Sequence, residues 1–281
     1  MADGLTSRFQ LPDGRDGWQA AAETLVRENR FTIAVVFPAI GALTLVASAR
    51  ALVDPPLQFN PYLLFFGTFV MRLPLLVGVA PYVDRRAGLK LLALTGFVYA
   101  IEFVGVTTGF PYGGFHYGIE LGPMLLGTVP LALPLFFVPL VFNAYLLAIL
   151  SGYAEKRLPR VLGALLTLLL VDLVLDPGAV ALGFWTYDAG TYYGVPASNY
   201  LGWTLSGFLA VLAVEFSFDH RDLRARLDSC EFVLDDLVSF IILWGAINAL
   251  YAQWIPAALS AVLGLALVAF RKKKGALYRS P

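Results

Sequence analysis

Three carboxylic acids in the apolar part of the chain, Glu102, Asp172 and Asp176, have the residue types and spacing for acid–base chemistry. Asp172 and Asp176 are four residues apart, which places them on one face of a helix. An ionisable group inside an apolar span is costly and faces a cavity or a partner. Arg72 and Asn248 stand in other apolar runs. Counted from the basic end of each run, all five side chains lie roughly 16 to 26 Å in, at ~1.5 Å per residue. An acid beside Arg72 is expected to stay ionised, whereas one without a cation keeps its proton. That contrast separates a fixed charge from a proton donor, which is what acid catalysis requires. Arg50, near the end of its run, is a second candidate partner. The same set also reads as an ion-pair network that only locks helices together.

The runs that carry these residues are membrane spans. The chain is 58% hydrophobic and 14% charged, with a mean hydropathy of +0.72, where soluble domains are about one quarter charged. Eight spans are expected near residues 31–53, 60–83, 88–108, 123–152, 159–177, 199–217, 233–252 and 255–270. Apart from Arg50 and Arg72, every Lys and Arg falls at or beside one set of segment ends, and the loops at the other ends hold none. The positive-inside rule then gives an all-α integral membrane protein of about eight helices with both termini cytoplasmic, in the cell membrane.

Residues 1–30 read as a cytoplasmic tail with a short interfacial helix carrying Trp18, Leu25 and Val26, and residues 31–270 as one polytopic domain. Residues 271–281 read as a basic tail at anionic headgroups. No cleavable signal peptide is expected. The charged stretch 219–236 reads as a solvated helix. Span four carries Pro130, Pro134 and Pro139, so kinks that open a cavity are expected there.

Two glycine-broken aromatic segments join the basic-free ends, GFPYGGFHYGIELGP (109–123) and LGFWTYDAGTYYGVPASNYLGW (182–203). They supply Tyr112, Tyr117, Trp185, Tyr187, Tyr192, Tyr193 and Trp203, either as an interfacial belt or as loops folded back over a site. His116 is a candidate proton relay, and Glu120 and Asp188 read as solvated carboxylates. His220 with Asp219 and Asp222 also reads as a solvated loop rather than a metal site.

Several chemistries lack their residues. Two histidines cannot build a histidine-rich di-iron site, and a single cysteine, Cys230, gives neither a disulfide nor a thiolate cluster. No GxGxxG or Walker loop marks a dinucleotide or ATP. No lysine stands inside a span to hold retinal, and no aspartate-rich motif offers a magnesium diphosphate site. The expectation is work without metal or cofactor on something lipophilic, or transport.

Glu102, then GVTTGFPYGGFHYGIELGP (105–123), VLDPGAVALGFW (174–185) and YYGVPASNYLGW (192–203) resemble the membrane carotenoid-biosynthesis family of the carotenoid 1,2-hydratase and bisanhydrobacterioruberin hydratase type. The likeness covers roughly residues 60 to 220. It implies addition of water to a terminal carbon–carbon double bond of a linear carotenoid, giving a tertiary alcohol. The implied partners are the carotenoid, water, the lipid bilayer and other carotenoid-pathway membrane enzymes, with no nucleic acid. In such a site Asp176, beside Asp172, or else Glu102 donates the proton, according to which is not neutralised by Arg72. Water's own proton leaves through Glu102 or His116. Tyr112, Tyr117, Trp185, Tyr192, Tyr193, Asn199, Trp203 and Asn248 contact the substrate, whose polyene lies along span four. Two alternatives stay open: a proton-coupled carrier with Arg72 and the acids as its coupling site, and a carotenoid end-group cyclase, which shares the protonation but excludes water.

Overall fold

A computed structural model describes residues 14–153 and 155–277. The first part of the expected tail 1–30, residues 1–13, and the last residues of the basic tail, 278–281, lie outside the described residues. Ten α-helices follow one another: α1 (Gly14–Glu28), α2 (Phe37–Ala49), α3 (Pro61–Val79), α4 (Arg85–Thr108), α5 (Leu133–Ala148), α6 (Arg157–Leu182), α7 (Ala197–Ser217), α8 (His220–Ser229), α9 (Asp235–Leu250) and α10 (Trp254–Leu277). Single π-helical turns, Thr32–Val36 and Ile149–Tyr153, lead into α2 and out of α5. Four short strands complete the described residues: β1 (Phe115–Tyr117), β2 (Met124–Leu125), β3 (Val129–Pro130) and β4 (Trp185–Tyr187).

Helix ends are set by local chemistry. Asn60 caps α3 by accepting from the backbone of Tyr62 and Leu63 at 3.0 and 3.1 Å, with Pro61 in the first turn. Asp84 caps α4 by accepting from Ala87 N at 2.7 Å. Helices α4 and α6 both stop at a glycine in left-handed backbone, Gly109 (φ +76°) and Gly183 (φ +75°).

Seven of the helices are long and apolar enough to cross a membrane. The eighth expected span is α9, 16 residues long and opening on the buried pair Asp235 and Asp236. Helix α5 stands at the centre, buried continuously from Pro139 to its end at Ala148 and packed on α3, α4, α6, α7 and α9. Around it, α9 packs between α2 and α10 and against α6. At one end, which carries the arginines, Arg30 and Arg271 both pair with Asp235, so the regions after α1 and at the end of α10 meet. Helix α1 lies across that end of α3, with Gln19 Nε2 donating to Val77 O at 2.9 Å, Val26 buried, and Trp18 and Leu25 exposed.

Two expectations are corrected. The fourth span does not begin at 123: residues 124–130 form the β2–β3 hairpin, in which Leu126 (φ +52°) and Gly127 (φ +69°) turn the chain. Pro130 sits in β3 and Pro134 in the first turn of α5, where a missing N–H costs nothing, so only Pro139 lies inside the helix. The stretch 219–236 is not solvated throughout. After α8, residues Cys230, Phe232, Val233, Leu234, Asp235 and Asp236 are all buried, as the chain turns inward to start α9.

Candidate active site

The two aromatic segments meet. Strand β1 pairs antiparallel with β4, in the register Phe115↔Tyr187, His116↔Thr186 and Tyr117↔Trp185. Successive side chains on a strand point to opposite faces. Phe115, Tyr117, Trp185 and Tyr187 therefore share the face over the bundle, and all four line a chamber of about 110 Å³. His116 and Thr186 share the other face, where His116 Nε2 lies 2.8 Å from Thr186 Oγ1 and the imidazole is exposed. As a proton relay His116 is thus misplaced; alternation turns it away from the chamber.

Glycines let the lid settle. The Tyr112 ring, 4% exposed, lies between Gly105 of α4 and Gly202 of α7. A Cβ on Gly105 would come within 2.8 Å of that ring, and one on Gly202 within 3.0 Å of the Pro111 backbone. Both positions need the absence of a side chain. Ser198 Oγ donates to Tyr112 O at 3.1 Å, tying the loop to the start of α7.

Below the lid stand the acids. Glu102, on α4, and Asp176, on α6, both line the chamber. Glu102 Oε1 accepts a hydrogen bond from Tyr117 Oη. Asp176 Oδ2 accepts from Asn199 Nδ2 and, at 3.2 Å, from Tyr187 Oη. The same Asn199 amide reaches Asp172 Oδ2 at 3.3 Å, so the four-residue spacing does bring Asp172 and Asp176 onto one donor. Asp172 lies behind the wall, 1% exposed, and its Oδ1 is buried with no hydrogen-bond partner. Among the described residues no basic side chain forms an ion pair with Glu102, Asp172 or Asp176. Burial, then the neighbouring acid, pushes the phenols of Tyr117 and Tyr187 well above the usual tyrosine range, so both remain donors.

Asp176 precedes Pro177, which has no N–H for the carbonyl four residues back. That carbonyl, Leu173 O, instead accepts from Tyr192 Oη at 3.3 Å. Burial and the adjacent Tyr193 raise the Tyr192 phenol to about 12. The next residue, Gly178, makes room for Trp244 of α9, since a Cβ there would meet the indole at 2.9 Å. Trp244 closes the chamber floor edge-on to Phe184, with ring centroids 6.3 Å apart. Trp203 stacks on Phe137 at 4.9 Å and 12° as one wall, and Trp185 keeps a buried, unpartnered indole N–H.

The structure brings Asp176, Glu102, Tyr112, Tyr117, Trp185, Asn199 and Trp203 to one chamber. It does not bring Arg72 there. Arg72 Nη1 donates to Asp236 Oδ1 at 2.5 Å, and Asn143 Nδ2 holds the other oxygen of Asp236 at 2.6 Å. Depth along a helix axis placed Arg72 near the acids, but its side chain reaches Asp236 in the first turn of α9, at the arginine end. Arg50 donates to Leu250 O at 2.9 Å and stands over the Tyr251 ring. Asn248, expected at the substrate, donates to Val174 O and Trp244 O, each at 2.8 Å, and so clasps α6 to α9 outside the chamber. Tyr192 serves Leu173 O, and Tyr193 Oη accepts from Ile255 N at 3.4 Å; neither lines the chamber.

Tyr187, placed beforehand only in the general aromatic set, and Trp244, Phe115, Phe137 and Phe184 are site residues that sequence reasoning missed. The alternation in FHY and WTY was the available signal for the lid residues; nothing local distinguished Trp244. Among the described residues no cluster of His, Cys, Asp and Glu has the grouping to hold a metal ion.

A family described as carotenoid biosynthesis protein matches residues 59–267. The chain is 57% identical over 268 residues to the bisanhydrobacterioruberin hydratase of Haloarcula japonica, covering 95% of this chain and 92% of the relative. No solved structure matches.

Proposed function

Because the chain belongs to the carotenoid biosynthesis protein family, we propose that it is a hydratase that adds water to a terminal double bond of a linear carotenoid. The substrate we assign is bisanhydrobacterioruberin, after the name of the Haloarcula japonica relative. The observation that carries this reading is that two carboxyls, Glu102 and Asp176, face one aromatic chamber with only neutral hydrogen-bond partners. The bundle crosses the cell membrane eight times, α9 included. The arginine end is cytoplasmic with both termini, and the lid lies on the opposite side, following the one-sided basic residues.

A chamber of about 110 Å³ suits the end of a polyene, not its length. The end group enters along the α5 residues Leu133, Phe136, Phe137 and Leu140, and the rest of the polyene remains in lipid. Asp176 accepts both its hydrogen bonds on Oδ2, which leaves Oδ1 to carry a proton towards the chamber. Protonation moves the π pair of the alkene into a new C–H bond and leaves a tertiary cation. The faces of Trp203, Trp185 and Trp244 stabilise that cation, by ~2 kcal/mol for a desolvated ring. Water forms the C–O bond and gives its proton to Glu102; return of that proton to Asp176 closes the cycle with one water consumed.

The test is expression of Asp176→Asn and Glu102→Gln in a host that makes the anhydro carotenoid, with extracted pigments read by mass. Accumulation of the precursor at normal protein level is expected. Hydration at the wild-type rate in both variants would overturn the reading, and an unchanged mass with a new ring would mark a cyclase.

A further inference from the structure

The lid does more than cover the chamber. Its two strands each lower one phenol onto one acid: Tyr117 of β1 to Glu102 of α4, and Tyr187 of β4 to Asp176 of α6. The two acids are otherwise held differently. Asp176 shares the Asn199 amide with Asp172, so two carboxyls crowd one donor, an arrangement that retains a proton between them. Glu102 stands without a second carboxyl on a shared donor, its only hydrogen bond among the described residues being that from Tyr117. A lone carboxylate with one oxygen held by a phenol presents the other as an acceptor.

We propose that the tyrosines divide the reaction: Tyr187 positions the proton donor Asp176, and Tyr117 positions Glu102, the base that takes the proton of the entering water. The proposal rests on the hydratase reading. Its consequence is that the two hydroxyls act on successive steps. Without the Tyr187 hydroxyl, Asp176 Oδ1 is misaimed and the alkene is not protonated. Without the Tyr117 hydroxyl the cation still forms, but capture by water is slow, and the cation returns a proton to the Asp176 carboxylate to regenerate the alkene.

Deuterium separates these outcomes. In membranes suspended in deuterium oxide, Asp176 donates a deuteron; a cation that reverts by losing hydrogen from the same carbon leaves deuterium in recovered substrate, and one that loses it from an adjacent methyl leaves deuterium in the double-bond isomer. Tyr187→Phe is expected to lower kcat by about ten- to hundredfold, the cost of one hydrogen bond to the carboxylate that forms as the proton leaves, with KM nearly unchanged and recovered alkene unlabelled. Tyr117→Phe is expected to lower kcat similarly while recovered alkene gains deuterium faster than with wild type. The acids supply a second pair should either ring variant fold poorly: Asp176→Asn should leave alkene unlabelled and Glu102→Gln should label it. Equal losses with no difference in label, wild-type rates in both tyrosine variants, or label appearing with Tyr187→Phe would each overturn the division. If the wild-type protein adds no water, the hydratase reading fails instead, a result distinct from all of these.

Discussion

Acids set into the interior occupy both ends of this bundle, all buried except the half-buried Glu102, and their partners differ in kind. At the arginine end Asp236 is held by Arg72 and Asn143, Glu215 by Arg160 and Arg157 with Tyr145, and Asp235 by Arg30 and Arg271. At the lid end Glu102, Asp172 and Asp176 have only phenols and one amide. A carboxylate matched to a guanidinium has its charge fixed, and the pair joins helices. An acid matched to neutral donors keeps its proton exchangeable. One end is joined by charge, whereas the other holds the neutral-partnered acids on which the proposed reaction depends.

Breaking one acid at each end should separate the two roles. Asp176→Asn is expected to lower hydration by about a hundredfold or more, the share that general acid catalysis supplies, with the thermal midpoint in detergent changed little. Pigment mass and intrinsic fluorescence on one preparation check both halves. Asp236→Asn should do the reverse, destabilising by about 3–5 kcal/mol because Arg72 is left buried and unpaired. Replacing both members, Arg72→Met with Asp236→Leu, should recover most of that loss in the same melting experiment.

A smaller effect is expected where the lid is seated. Gly202→Ala places a methyl against the Pro111 backbone and should cost about 1–3 kcal/mol as an overpacked contact. Activity should fall with it, since Tyr112 lines the chamber. The smallest effect sharpens the comparison within the lid itself: His116→Ala, on the outward face, should change turnover by less than about twofold.

The common level of Glu102 and Asp176 and the shared face of Asp172 and Asp176 were legible because helical rise and the four-residue repeat are fixed by backbone geometry. The pairing of Arg72 was not. Rise gives the height of a backbone position but not where a long side chain ends, and Asp236 looked like part of a charged loop. The burial of Cys230, Phe232, Val233 and Leu234 carries Asp236 inward, and those apolar residues before the two aspartates were the overlooked sign. The aromatic segments were legible as loops folding over a site, whereas their pairing as β1 and β4 depends on contacts across 70 residues that local pattern does not encode. Trp244 was hidden for the same reason: its place on the floor is decided by Gly178 on another helix.

The pairing of β1 with β4 also sets a timetable for the newborn chain. Contacts between distant segments cannot form until both have been made. His116 waits for Thr186, 70 residues later, and Trp244 is inserted later still. The arginine end waits as well, since Arg30 and Arg72 pair with Asp235 and Asp236, and the chamber is completed only once α9 has been made. A nascent chain interrupted before α9 therefore lacks both the chamber floor and the partners of those arginines, and its acids are open to whatever reaches them.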